Sequence, residues 1–245
     1  MDEQLRRRIE DRFKDKKGGV INPRTAEYLR SIGIDVPDDS KMTSWEDYVE
    51  KLFSNERKES AIKQLQQLPQ PPSIPYPQVV AIYREILKCI AFGANGAAIT
   101  LSCILIEYML KFAAYKIEVG KFLVFDEAKW GKFERLPMGR AIERAYSLGI
   151  LTDERRDSLN EFKDKFRNPY LHYNINKITG GVLVKDFSML NVYTGEEKKV
   201  DLPAGTNPVV QPQAKLYVDE REVVPVYTYA NAFVIEMREK LLGLG

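Results

Sequence analysis

The sequence predicts an all-α fold: a four-to-five-helix bundle with a small β-hairpin inserted before the last helix and a helical N-terminal appendage. Three observations carry that expectation. Residues 97–118, AAITLSCILIEYMLKFAAYKIE, are apolar almost all round, as a central buried helix must be. Leu159, Phe162, Phe166 and Tyr170 recur at spacings of three and four, the period of a helix with one face in a core. Only between about 176 and 224 does the pattern loosen to strand-like alternation, with Thr194-Gly195 placed to turn a hairpin.

Taken in order, residues 1–68 form a helical N-terminal region. A charged helix over 1–17 ends at Gly18-Gly19, and shorter helices follow at 24–32 and 44–54 around the turn-rich IDVPDDSK. Ser44 is placed to cap the second of these, with Glu46 and Asp47 favouring its dipole. Residues 56–68 are helical again. Five prolines between Pro69 and Pro77 then make an extended, stiff linker and a domain boundary, with the bundle over 78–245. Helices are expected at 78–92 and at 137–148, the latter closed by Gly149. Thr152 caps the next helix, with Asp153 and Glu154 in its first turn. A short strand is expected at 214–218, and a last helix at 226–242 carries Phe233, Met237 and Leu241.

Composition excludes more than it selects. With 37 basic against 35 acidic residues, the net charge of +2 provides no broad field for a polyanion, so nucleic-acid contact must come from local patches. Cys89 and Cys103 lie in apolar stretches and read as reduced core thiols rather than a disulfide. The first residues lack the apolar run of a signal peptide. The uncharged run from Cys89 to Ile106 is broken by Gly93, Asn95 and Gly96, which favours a buried helix after a turn over a membrane span. A cytoplasmic protein without membrane association is expected. One histidine and two separated cysteines argue against zinc, and GANGAA lacks the spacing of a phosphate loop, so no cofactor is expected.

The chemistry concentrates in LNEFKDKFRNPYLHYN at 159–174, which holds the single histidine, His172. On an ideal helix Leu159, Phe162 and Tyr170 lie within about 40° of Phe166, whereas Arg167, Asn168 and His172 lie about 100°, 200° and 240° round. All three polar residues therefore belong on the outward face. Pro169 should kink the helix and draw Arg167 and His172 together. Two readings stand side by side: a helix-end cap with a surface cation, or a phosphate-binding and proton-transferring pair. Basic residues at Lys129, Lys132, Arg135, Arg140, Arg144, Arg155 and Arg156, interleaved with Trp130, Phe133 and Tyr146, form either a solvated face or a surface that tracks phosphates. Glu107 interrupts the apolar helix and needs a partner, for which Lys111 stands one turn on.

Arg-x4-His late in a helical bundle, RNPYLH at 167–172, behind a buried apolar helix, resembles the HEPN superfamily. The resemblance covers about 78–174 and the last helix, not residues 1–70 or the insertion. It implies a metal-independent RNA endonuclease, often of defence or toxin systems, in which two copies bring their motifs into one cleft. Arg167, with Lys165, would contact the nucleic acid, and His172 would act as general acid or base. Asn168 would orient His172, Tyr173 would support it, and Glu107 would reach Arg167 across the bundle. Asn174 stands where one toxin branch has tyrosine, a departure from that branch. A different class remains open, a non-catalytic dimerisation or binding module whose N-terminal region docks a protein partner.

Overall fold

The computed structural model describes residues 30, 31, 50, 52–120, 125–191 and 196–243. The helices expected at 1–17 and 24–32, most of 44–54, and the Thr194-Gly195 turn lie outside the described residues or nearly so. Regular structure opens with α1 (Asn55–Leu65), α2 (Pro77–Ala91) and α3 (Asn95–Val119). The Ser54 hydroxyl caps α1 by accepting from the Arg57 amide, and Pro77 enters α2 in its first turn, where a missing N–H costs nothing. Gly93 ends α2 at φ +75°, with the Gly93 and Ala94 amides donating to the Ile90 and Cys89 carbonyls. The Arg57 guanidinium covers the same end, donating to the Ile90 and Ala91 carbonyls at 2.8 and 2.9 Å. A Cβ at position 93 would stand 2.9 Å from that guanidinium, so glycine serves both the backbone and the close approach.

The proline-rich stretch is not a free spacer. Leu68 and Ile74 are buried in the main core, and Tyr76 packs edge-on against Phe112. Tyr227 and Asn231 donate to the Pro69 and Gln70 carbonyls, and Asn231 accepts from buried Tyr83 at 2.8 Å. Backbone carbonyls that no strand or helix uses are thus satisfied by the last helix.

α3 is the axis of the bundle, with Ala98, Ile99, Cys103, Leu105, Ile106 and Met109 fully buried. By length and composition it could cross a membrane, yet 67% of its most apolar window is buried within the fold. Around it lie α4 (Glu127–Glu134), α5 (Met138–Ser147) and α6 (Asp153–Phe162). α4 is begun by Asp126, whose carboxylate accepts from the Lys129 amide at 3.0 Å. Gly149 closes α5 at φ +72°, and Thr152 caps α6 through the Arg155 amide. Beyond α6 a π turn (Lys163–Arg167) leads into α7 (Asn168–Leu171) and α8 (Ile175–Thr179).

The expected hairpin is β1 (Leu183–Leu190) against β2 (Glu197–Pro203), antiparallel, with Val184 facing Leu202 and Phe187 facing Val200. An irregularity between those pairs brings Asp186 to φ +52°, its amide held by the Asp201 carboxylate. A 3-10 turn (Ala204–Thr206) leads to α9 (Gln211–Gly243), 33 residues long. Ala204, Val210 and Ala214 form a small second core against Val184, Phe187 and Leu202, which fixes the hairpin to the start of α9.

Two expectations fail here. Residues 214–218 are helix, not strand, and α9 starts fifteen residues before the expected 226. Ala214 and Val218 are buried one turn apart, a helical spacing that LYV had masked with its β-forming composition. Pro225 lies inside α9 and removes one backbone bond. Burial of Val223, Val226, Tyr227 and Ala230 around it outweighs that cost.

Candidate functional site

The Arg–His segment sits where the helix changes pitch. Pro169 has no amide for the Lys165 carbonyl, and in an α-helix its ring would collide with that carbonyl. The chain answers with the π turn over Lys163–Arg167, where the Asn168 amide reaches back five residues to the Lys163 carbonyl. The extra residue makes everything after Phe162 lag behind an ideal helix. Phe166, expected on the core stripe, is only half-buried, while Pro169 and Tyr170 are buried. Phe162 stacks on Tyr229 of α9 at 4.8 Å, and the Tyr170 hydroxyl donates to buried Asp219 of α9 at 2.8 Å. Lys215 holds the other oxygen of that carboxylate.

Arg167 therefore does not face outward as expected. Its side chain is 20% exposed and turned onto α3, with Nε and Nη2 3.1 and 3.0 Å from one oxygen of Glu107. Nη1 donates to the Asn168 side-chain oxygen at 3.1 Å, and Asn168 donates in turn to Asp164. A guanidinium carries five N–H groups; three face Glu107 and Asn168, which leaves two for a ligand. The other Glu107 oxygen lies 2.7 Å from the buried Lys111 ammonium, which also donates to the Glu134 carbonyl at 2.9 Å. Glu107 thus has both of the partners weighed for it.

His172 is exposed and forms the C-terminal cap of α7, at φ −97°. Asn168 orients Arg167 rather than His172, a correction to its expected role. The residue after His172 closes the helix as Gly93 and Gly149 close theirs: the Tyr173 and Asn174 amides donate to the Tyr170 and Pro169 carbonyls. Tyr173 does this at φ +47°, a backbone that costs a side-chain-bearing residue about 1–2 kcal/mol. Its ring is exposed, with the Lys215 ammonium 5.5 Å from the ring centre. Lys165 is exposed, its ammonium 5.0 Å from the Phe166 ring.

A cavity of about 240 Å³ opens beside Arg167 and Glu107, walled by Ile104, Tyr108, Trp130 and Leu171. α4 supplies Trp130, whose place beside the motif was not legible from its own segment. Asp126 as a cap followed by Trp130 and Phe133 is the signal that marks this helix. Among the basic residues, Lys129 pairs with Asp126, Arg144 with Glu118, and Arg156 with Asp153 and Asp157. Arg155 pairs with Glu236 and lies over Tyr229 and Phe233. That part of the surface is largely neutralised locally; Lys132 and Arg140 line a separate cleft of about 580 Å³. Burial pushes the Cys103 thiol up to about 12, and both cysteines are free. Among the described residues no group of three or more His, Cys, Asp or Glu is placed to hold a metal ion.

Fold and site together define an all-α bundle bearing a two-stranded hairpin, with an ion-paired arginine and an exposed histidine at one helix end. The chain has no significant match among family models, curated proteins or solved structures.

Proposed function

We propose that this chain is a metal-independent RNA endonuclease of HEPN type, acting as a homodimer in a defence or toxin–antitoxin role. The observation that supports this best is the Arg167 guanidinium, held from behind by Glu107 and Asn168 with two N–H groups left at a cavity mouth. Such a fork binds two phosphate oxygens without first having to be ordered. His172, exposed five residues on, is free to take or give a proton near neutral pH. In that reaction the RNA 2′-oxygen attacks the adjacent phosphorus, its proton passes to a base, and the bond to the 5′-oxygen breaks as an acid protonates it. One chain supplies one imidazole for these two transfers. Five residues also separate Arg167 from His172, about 140° on a helix, so the two face different surroundings. Both points favour a second copy that completes the site.

The test is incubation of wild type and His172→Ala with mixed RNA in EDTA, after both have been sized in solution. Loss of about 10²–10⁴-fold in cleavage rate is expected for the variant with dimer and helicity intact. Cleavage that survives the substitution refutes the assignment. A second reading, a non-catalytic dimerisation or binding module, draws on the exposed Val209, Leu216 and Tyr217 around the start of α9. A dimeric wild type that leaves every RNA intact would favour it.

A further inference from the structure

The cavity beside Arg167 has two chemistries side by side. On one flank are the two unengaged N–H groups of a buttressed guanidinium. On the other is an aromatic wall in which Trp130 meets Tyr108 edge-on at 5.6 Å, with Tyr108 stacked in turn on Phe112. Trp130 is half-buried and fixed by Phe112 and Tyr115 as well, so its ring presents a surface that needs no ordering on binding. Lys111 and Glu107 at the floor are already paired with each other, which leaves the floor without an unmet charge. At about 240 Å³ the space is smaller than the roughly 300–1,000 Å³ of a whole small-molecule site. It suits one planar ring system joined to an anion that remains outside.

We infer that this cavity is a nucleotide seat: Arg167 takes a phosphate and the attached base lies against Trp130 and Tyr108. A stacked base on an aromatic platform is tolerant of base identity, since every base has a π face. In the nuclease this would hold the nucleotide bonded to the phosphate on Arg167 and set the strand's position at the site. Its biological ligand, an RNA strand, rests on the ribonuclease reading, whereas nucleotide binding itself can be measured without cleavage.

The sequence has two tryptophans, Trp45 and Trp130, so Trp45→Phe leaves Trp130 as the reporter at the cavity. That full-length variant is titrated in EDTA with AMP, UMP, ribose 5-phosphate and adenosine while tryptophan emission is followed. AMP and UMP are expected to quench it saturably and to bind about tenfold or more tightly than ribose 5-phosphate, the contribution of one stacked base. Arg167→Gln in the same background should weaken AMP about tenfold, toward the affinity of adenosine. If that variant does not keep its helicity, Ile104→Glu at the 38%-exposed mouth replaces it, placing an anion in the path of the phosphate. Absence of quenching by millimolar nucleotide, equal binding of ribose 5-phosphate, or unchanged AMP affinity in the folded variant overturns the seat. Quenching without RNA cleavage would remove the nuclease and keep the seat; cleavage without quenching would do the reverse.

Discussion

Replacing Glu107 with alanine tests the arrangement on which the site depends. The carboxylate is 14% exposed and lies between Lys111, 10% exposed, and Arg167, 20% exposed. Without it two cations face each other in a space where water screens them weakly. Lys111 keeps only the Glu134 carbonyl, and Arg167 keeps only Asn168. Breaking a fully buried pair costs about 3–5 kcal/mol and a surface pair about 0–1, so partial exposure places Glu107→Ala at about 2–4 kcal/mol. Urea unfolding followed by far-UV circular dichroism measures it, with an unchanged denaturant slope showing that the unfolded state has not altered. Lys111→Met alone and together with Glu107→Ala completes a cycle. The double variant should lose at least about 1 kcal/mol less than the sum of the two, because the second substitution removes the stranded ammonium. A loss below about 1 kcal/mol for Glu107→Ala, or strict additivity, would refute the reasoning.

Tyr173→Gly should stabilise the fold by about 0.5–1 kcal/mol, since it relieves a left-handed tyrosine while adding some unfolded-state freedom; destabilisation in the same urea assay would show that the Lys215 contact outweighs the strain. For the thiols the sign follows from burial, which disfavours the charged thiolate and so raises Cys103 to about 12. At pH 8 an aromatic disulfide reagent should modify Cys89 slowly, its thiol also raised by burial and Glu85, and Cys103 only after unfolding. Rapid modification of both in the folded protein would contradict the core placement of Cys103.

The parts of this fold that were legible in the sequence are those with local causes. Gly149, Thr152 and the apolar run at 97–118 act through nearby backbone or through sheer burial, and each does what its residue type implies. The hairpin strands followed from alternation in the same way. What was hidden depends on partners distant in sequence. Residues 214–218 look strand-like alone and become helix because Ala214 and Val218 have a core to enter. The prolines of 69–77 announce an extended chain, but not the Tyr227 and Asn231 groups that tie it down. At the site, the residue types were readable and their directions were not. A 100° wheel cannot anticipate that Pro169 forces a wider turn, so it pointed Arg167 outward when the guanidinium turns in to Glu107.

That wider turn makes chain length a lever on the site independent of composition. Removing one residue from Lys163–Arg167 would let the remaining four continue as ordinary helix, with little loss of hydrogen bonding apart from the proline's own. The core contacts of Phe162 upstream could stand, while Arg167 and all that follows would swing by about one residue's rotation, 100°. A single deletion here would therefore re-aim the motif with hardly a change to the bundle, whereas substitutions in the same five positions would leave its bearing untouched. For a protein whose arginine must meet a phosphate, spacing at this one turn is as much a part of the recognition element as the residues themselves.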